Sequence, residues 1–461
     1  MSEIKRDQIG FNEIFYCEKD GELFYSSSIR ELVDQHKIPI VVDHESLELF
    51  LSLRFVPAPK TMIKNVFKLP PGCALGDKEA LGDFKKIKKN YKKIKNIKDI
   101  TNDLRNLLTD VIGESLGQVD KSASIGAVLS EGIDSLAIIW VLTHVFQRSC
   151  LVFYPTFEGE MYENKSHSNK ILDAMGCNGE EVHITSEQGL HWLSDIVKNM
   201  DDCIGESELI SSYGIQQSFE NKCDINFLSH GAEILFGGIM FFLTMRDSEQ
   251  NYQKGQVSFC SEKRAMRFIS FLHDLAFRDK KNLTDLIDNN HLIEYLADYL
   301  DGDEDIVDLL IHWMLVSYVP EMLVRRNPTL QKKTNKKVIY PYLNERMVSY
   351  SYQIPAEFKV YGDINKFLVH EAFNDVLPRQ SLKHFRPDFH IPLSKWTRKD
   401  NWFDFMNGVF YESDYFDYGF IKKKMDENYS GVKDNSETLF SLIIFEIWLK
   451  EIRTRCSTII P

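Results

Sequence analysis

Between residues 124 and 238, short apolar runs alternate with longer segments of helical periodicity, and this alternation constrains the fold more than any other feature of the chain. SIGAVLS at 124–130 is a short apolar run ending in a Gly-containing loop, and IDSLAIIWVLTHVF just after it has the pattern of a helix. CLVFYPTF at 150–157, a helix-like stretch at 162–176 and VHIT at 182–185 continue the alternation, and INFLSHGAEILFGG at 225–238 adds another strand and loop. Strands separated by helices read as a parallel sheet, because a parallel neighbour is reached only through a crossover connection. Beyond residue 255 the patterns are mainly helical, up to an apolar helix at 436–450. The expected fold class is therefore α/β: a parallel-sheet core followed by a mainly helical C-terminal part.

The N-terminal part reads differently. FNEIFYCEKDGELFYSSS at 11–28 predicts two short strands around a Lys-Asp-Gly turn, since Asp-Gly suits a tight hairpin. Ser28 before IRELV predicts a capped short helix, residues 44–56 are helical in pattern, and 57–72, broken by five prolines or glycines, is a structured loop. Between Lys85 and Lys98 there are eight lysines and no acid, which reads as a solvated linker helix or as a phosphate- or partner-binding surface. The expected division is an N-terminal piece with its linker over 1–100 and the α/β part over 101–461.

Composition narrows the function classes. With 55 basic and 68 acidic residues the formal charge is −13, which argues against a general nucleic-acid binder because backbone affinity needs Lys and Arg. The eight cysteines include no Cys-x-x-Cys pair, which disfavours zinc ribbons and thioredoxin-type sites. No signal-like start and no run approaching about 18 apolar residues is evident, so the expected compartment is the cytoplasm and no membrane partner is expected.

Chemistry concentrates in two loops. Ser130-Glu131-Gly132-Ile133-Asp134-Ser135 lies between a buried strand and a helix, where backbone N–H groups and the helix end favour an anion. It is not a Walker A loop, since no Gly-Lys-Ser/Thr follows. Ser130, Glu131, Gly132, Asp134 and Ser135 are candidates for a pyrophosphate loop, with an ordinary strand-to-helix turn as the alternative. The second loop, Ser229-His230-Gly231-Ala232-Glu233, also follows a strand, and two strand-end loops of an open parallel sheet can converge on one ligand. Gly231 would then join the nucleotide wall and Glu233 would face Asp134 as a second Mg²⁺ carboxylate. The plainer readings are a helix cap for Asp134, a helix-start carboxylate for Glu233 and a satisfied loop histidine for His230, which otherwise suits a general base for an attacking amine.

The ordered set RFVPAPKTMIKNVFKLPPG (54–72), LSEGIDS (129–135), HGAEILFGG (230–238), PYLN (341–344) and NKFLVHEAFNDVLPRQSLKHFRPDFHIPLSKW (365–396) resembles the synthetase half of asparagine synthetase over nearly the whole chain. The resemblance implies an ATP pyrophosphatase core (adenine nucleotide α-hydrolase-like) using ATP and Mg²⁺ to adenylate a carboxylate, release pyrophosphate and form an amide with an amine or ammonia. His-Gly-Ala-Glu-Ile is also similar to the corresponding loop of β-lactam synthetase, a branch in which the amine lies inside the substrate. That implies ring closure in specialised metabolism as one form of the reaction. The opening hairpin looks like the last piece of the family's glutaminase domain; the first cysteine stands at position 17, so glutamine hydrolysis is not expected.

Four departures limit the transfer of roles. Glu131 replaces a glycine of the family loop, where a carboxylate beside phosphates is repulsive unless it meets a cation. Glu233 stands where aspartate is usual. Arg386 falls where the family has its lysine near the phosphates, with His384 and Asp388 also altered, and Lys383 as a substitute cation. The stretch before PYLN lacks the usual Glu-x-Arg, so the acceptor side is rebuilt and asparagine is doubtful as product. Catalytic roles are expected for His230, Lys383 and Arg386, with a small-molecule or peptide carboxylate as substrate and either a homodimer or a partner biosynthetic enzyme as company. A degenerate non-catalytic homologue and a lasso-type peptide macrocyclase stay open as alternatives.

Overall fold

The computed structural model describes residues 4–76, 96–130, 132–159, 163–220, 222–254, 260–276, 289–325, 336–361, 366–377 and 391–455. The alternation seen in the sequence folds as expected. β4 (Ile125–Val128), β5 (Cys150–Phe157), β6 (Asn178–Ile184), β7 (Ile225–Phe227) and β8 (Lys337–Ile339) form one sheet in the order β6-β5-β4-β7-β8. Every neighbouring pair is parallel. All residues of β4 and β7 are buried, as expected of central strands covered on both faces. From β4 the chain runs outward through β5 and β6, then returns to the other side of β4 as β7. The carboxyl ends of β4 and β7 therefore flank the topological switch point, where open α/β sheets bind ligands.

The predicted hairpin is β1 (Phe15–Lys19) and β2 (Glu22–Ser26). Its turn residues Asp20 and Gly21 both have positive φ, 54° and 78°, the geometry that matches the twist of paired strands. β3 (Phe67–Lys68) completes a small antiparallel sheet, β2-β1-β3. Its buried face packs into the same apolar core as the parallel sheet. Charge locks the two parts together as well: Lys68 Nζ lies 2.9 Å from Asp202 and 2.7 Å from Glu321, Arg6 lies 2.9 Å from Glu321, and Arg325 pairs with Glu13, all at buried or nearly buried side chains.

Several expectations need correction. β8 lies in the part read as mainly helical; three residues give too little periodicity to register. Ser28 does precede the helix Ile29–His36, but its hydroxyl makes no cap bond and donates to Asp201 Oδ1 at 2.6 Å. The helical stretch Ile306–Leu323 does reach spanning length, with mean hydropathy 1.4, yet 83% of it is buried inside the protein, and it carries the ion-paired Glu321. It is a core helix. The lysine-rich stretch of the presumed linker falls mostly within 77–95, outside the described residues.

Candidate active site

The loop after β4 is folded around two hydroxyls. Ser135 Oγ accepts from Ser130 N at 3.2 Å and from Ser130 Oγ at 3.0 Å, and donates to the Gly132 carbonyl at 2.8 Å. Gly132 N donates back to Ser130 Oγ at 3.3 Å. Gly132 then starts the helix Ile133–Trp140, whose first turn carries Asp134, 3% exposed. Glu131 lies outside the described residues.

The loop after β7 meets this one from across the switch point. Gly231 has φ +100°, and a Cβ there would sit 2.4 Å from Leu343 of the PYLN segment, so glycine is required twice over. Its N–H donates to both Glu233 oxygens, at 3.2 and 3.1 Å. Tyr342 of the same PYLN segment donates to the Asp134 carbonyl at 3.3 Å and packs its ring against Phe236. PYLN is thus the third wall of the site, a role that its sequence alone does not announce.

A fourth contribution was missed by sequence reasoning. Lys366, at the start of the helix Phe367–Phe373, makes an ion pair with Asp134 Oδ2. Its stem runs over Gly238, where a Cβ would fall 2.4 Å from Lys366 Cε and 2.8 Å from Glu233 Cα. Gly238→Ala is therefore expected to push Lys366 off Asp134 or strain the Glu233 backbone, at about 1–3 kcal/mol. A lowered thermal midpoint together with weakened Mg-ATP binding checks this; a variant that binds and melts like the parent contradicts it.

The electrostatics follow from burial. Glu233 is half-buried by surface, but burial of its carboxyl pushes that group up to about 7; Lys366 opposes the rise, Asp134 adds to it and the Gly231 N–H opposes it. His370, one turn beyond Lys366, is held below the usual histidine range by burial, with Asp134 opposing and Lys366 adding. The acid pair thus sits in surroundings that favour a cation between or beside them. Asp134 Oδ1 is buried with no hydrogen-bond partner among the described residues, which fits a ligand for a hard cation. Among the described residues no three or more His, Cys, Asp or Glu converge as a metal cage. A divalent ion here would take its remaining oxygens from phosphates and water, as Mg²⁺ does.

His230 lies in the wall of a cavity between the ends of β4, β7 and β8 and the helix Glu208–Phe219, with Glu208, Ser211, Ser212, Gln216 and Ser229 as its other polar residues. The cavity encloses ≈ 40 Å³. Phe236 and Trp396 are packing residues, buried at 0% and 1% exposure. Lys383 and Arg386 lie outside the described residues.

A parallel sheet whose switch point joins a hydroxyl-rich strand-end loop to two carboxylates and a lysine defines an α/β protein with its candidate site at the carboxyl ends of the strands. Residues 104–450 match the asparagine synthase family and residues 2–91 match a glutamine amidotransferase domain. The chain belongs to the asparagine synthase family, whose chemistry is ATP-dependent amide formation. It is 21% identical to asparagine synthetase [glutamine-hydrolyzing] 1 of Bacillus subtilis, covering 96% of this chain and 74% of that protein. With asparagine synthetase [glutamine-hydrolyzing] 3 of the same organism it shares 22% identity over 85% of this chain and 67% of the relative. Among solved structures, an NH3-dependent NAD synthetase from Campylobacter jejuni covers 44% of this chain and 92% of its own length at 13% identity and TM-score 0.23. A U34-tRNA thiolase from Methanococcus maripaludis covers 78% and 80% at 12% identity and TM-score 0.25. At those scores neither bears on the site.

Proposed function

We propose that this chain is an AMP-forming ligase that adenylates a carboxylate and couples it to an amine, with residues 101–461 as the synthetase domain and 1–100 as a glutaminase-like remnant with its linker. The observation that carries this reading is the meeting of the Ser130–Ser135 loop, Asp134, Glu233 and Lys366 at one switch point. Ser130, Gly132 and Ser135 form the hydroxyl-rich loop that would receive phosphate oxygens, exchanging its internal hydrogen bonds for bonds to them, and Lys366 adds a positive charge. Asp134 and Glu233 are the residues that would hold Mg²⁺. That ion, when bound, supplies charge neutralisation between the phosphates. Catalysis then rests on positioning and preorganised charge.

His230, on the loop after β7 and in the cavity wall, would take a proton from the attacking amine. Substitution of the acceptor side favours a product other than asparagine, and the ring-closing form of the reaction in specialised metabolism fits the His-Gly-Ala-Glu-Ile loop. Seven free cysteines among the described residues suit a reducing compartment such as the cytoplasm.

The test is product analysis. Purified protein with Mg-ATP and a panel of amino-acid and peptide acids is expected to release AMP and pyrophosphate in equal amounts. Release of ADP and phosphate instead would overturn the mechanism.

A further inference from the structure

The helix Glu208–Phe219 ends just before β7 begins, so it runs antiparallel to the strands and its first turn stands at their carboxyl ends. A helix packed against a sheet normally turns apolar residues inward. This one lines the His230 cavity with Glu208, Ser211, Ser212 and Gln216, which share one face at helical spacings of three and four. Ile215 and Phe219 continue the same stripe away from the carboxyl ends, and Val128 and Leu228 line the cavity from the ends of β4 and β7. Glu208, Ser212 and His230 are half-buried, whereas Ser211, Ile215, Gln216 and Phe219 are buried. The cavity thus has a polar mouth and a partly apolar floor.

The polar side of this lining is set up to accept hydrogen bonds. Ser211 Oγ donates its own hydrogen to the Glu208 carbonyl at 2.9 Å, which leaves its lone pairs for another donor. Glu208 is the one formally charged side chain among the described lining residues. A carboxylate has about four acceptor positions, so it can serve a ligand and a protein neighbour together. A positive group with several N–H donors matches such a lining, and a carboxylate or phosphate is repelled by it. Volume then sets the size. About 10–15 Å³ of enclosed space holds one water-sized group, so ≈ 40 Å³ takes roughly three, a nitrogen and about two carbons.

We propose that this cavity is the acceptor pocket and that Glu208 selects a short primary aminoalkyl group, held as the ammonium beside His230 with its methylenes against Ile215 and Phe219. The inference rests on the ligase reading above and names the substrate class of that site. Ammonia would leave the apolar floor unfilled, whereas each methylene buried there strengthens binding about three- to fourfold. Branched amines and rings exceed the space. Glu208 is then a specificity-determining residue, and His230 receives the proton of the nitrogen that Glu208 has brought to it.

The probe is ethylammonium chloride, titrated into the full chain with Mg²⁺ and a non-hydrolysable ATP analogue and followed by saturation-transfer NMR. Wild type is expected to bind it about tenfold more tightly than ammonium, and tert-butylammonium at equal concentration should not displace it. Glu208→Gln keeps the shape and removes the charge; it is expected to weaken ethylammonium about tenfold with nucleotide binding and the thermal midpoint unchanged, and Glu208→Asp to recover part of the loss. β-Alanine carries the same aminoethyl group on its own carboxylate. Its displacing ethylammonium assigns the group to an arm of the acid, and its failure to do so assigns it to a separate amine. Equal affinity in wild type and Glu208→Gln overturns the proposal and leaves Glu208 as a carboxylate at a helix start. A folded Glu208→Gln protein that binds no nucleotide also overturns it. Should that variant not fold, the size series in wild type decides: ammonium or tert-butylammonium bound as tightly as ethylammonium sinks the idea. If wild type binds the nucleotide analogue but no ethylammonium, the acceptor inference fails and the ligase reading stands. If wild type binds no nucleotide, both fail.

Discussion

Replacing Asp134 by Asn is expected to lower AMP formation by about 10²–10³, equivalent to roughly 3–4 kcal/mol of lost transition-state stabilisation. The side chain keeps its shape and loses its charge. One oxygen pairs with Lys366 and the other has no partner among the described residues, so the substitution disturbs an ion-binding arrangement and little packing. The loop hydroxyl bonds that hold Ser130, Gly132 and Ser135 do not involve the Asp134 side chain, so the fold should survive, with a lowered thermal midpoint from the loss of the Lys366 pair. Single-turnover AMP release against the panel of acids, alongside calorimetric Mg-ATP titration, gives the measurement. An Asn variant as active as the parent would mean that Asp134 merely starts a helix.

The largest effect on stability is expected at Glu321. It is fully buried and faces three cations: Lys68 at 2.7 Å, Arg6 at 2.9 Å and Arg325 at 3.7 Å. Removing one partner of a buried pair leaves charge without compensation, typically a loss of about 3–5 kcal/mol. That is a large part of the roughly 5–15 kcal/mol that holds a domain folded. Glu321→Ala should therefore shift the urea midpoint strongly or abolish soluble expression, whereas Glu321→Gln, which keeps the shape and one acceptor oxygen for Arg6 or Lys68, should be milder. A midpoint within error of wild type for both variants would show that the network carries no stability. Acid gives an independent check. Burial alone would raise the Glu321 carboxyl, but Lys68, Arg6 and Arg325 outweigh it and bring it down to about 2. Because the folded-state value lies below the ordinary one of 4.5, the stabilisation is fully present above that ordinary value and is lost as pH falls from there toward about 2. In Glu321→Gln that part of the acid dependence should vanish.

Each of these two predictions turns on contacts of a different range. The Asp134 loop was legible because its signals are local: an apolar run, small hydroxyl residues, a glycine and a helical pattern stand next to one another. β5 falls on the residues expected of it, Cys150–Phe157, and the Asp-Gly hairpin turn follows from two residues alone. Even the convergence of Asp134 and Glu233 could be anticipated, since two strand-end loops of one parallel sheet share an edge. Lys366 is another matter. It stands within the quoted segment 365–396, but 232 residues from Asp134, and nothing in its neighbourhood marks it above Lys383 or Arg386. A search for a basic residue just before a helix in that segment would have raised it.

The sequence by itself determined the alternation of strands and helices, the turn chemistry and the residue types of the loop after β4, because each depends on neighbours a few positions apart. Tertiary structure alone decided the reversal of strand order between β4 and β7, the addition of β8, the approach of Lys366 over Gly238 and the union of Arg6 with Glu321 across 315 residues. Those pairings depend on which crossover carries which segment to the sheet, and on burial that lets a charge tolerate only a partner at close range. A charge on a chain says nothing of its partner until packing has removed the water that would otherwise serve.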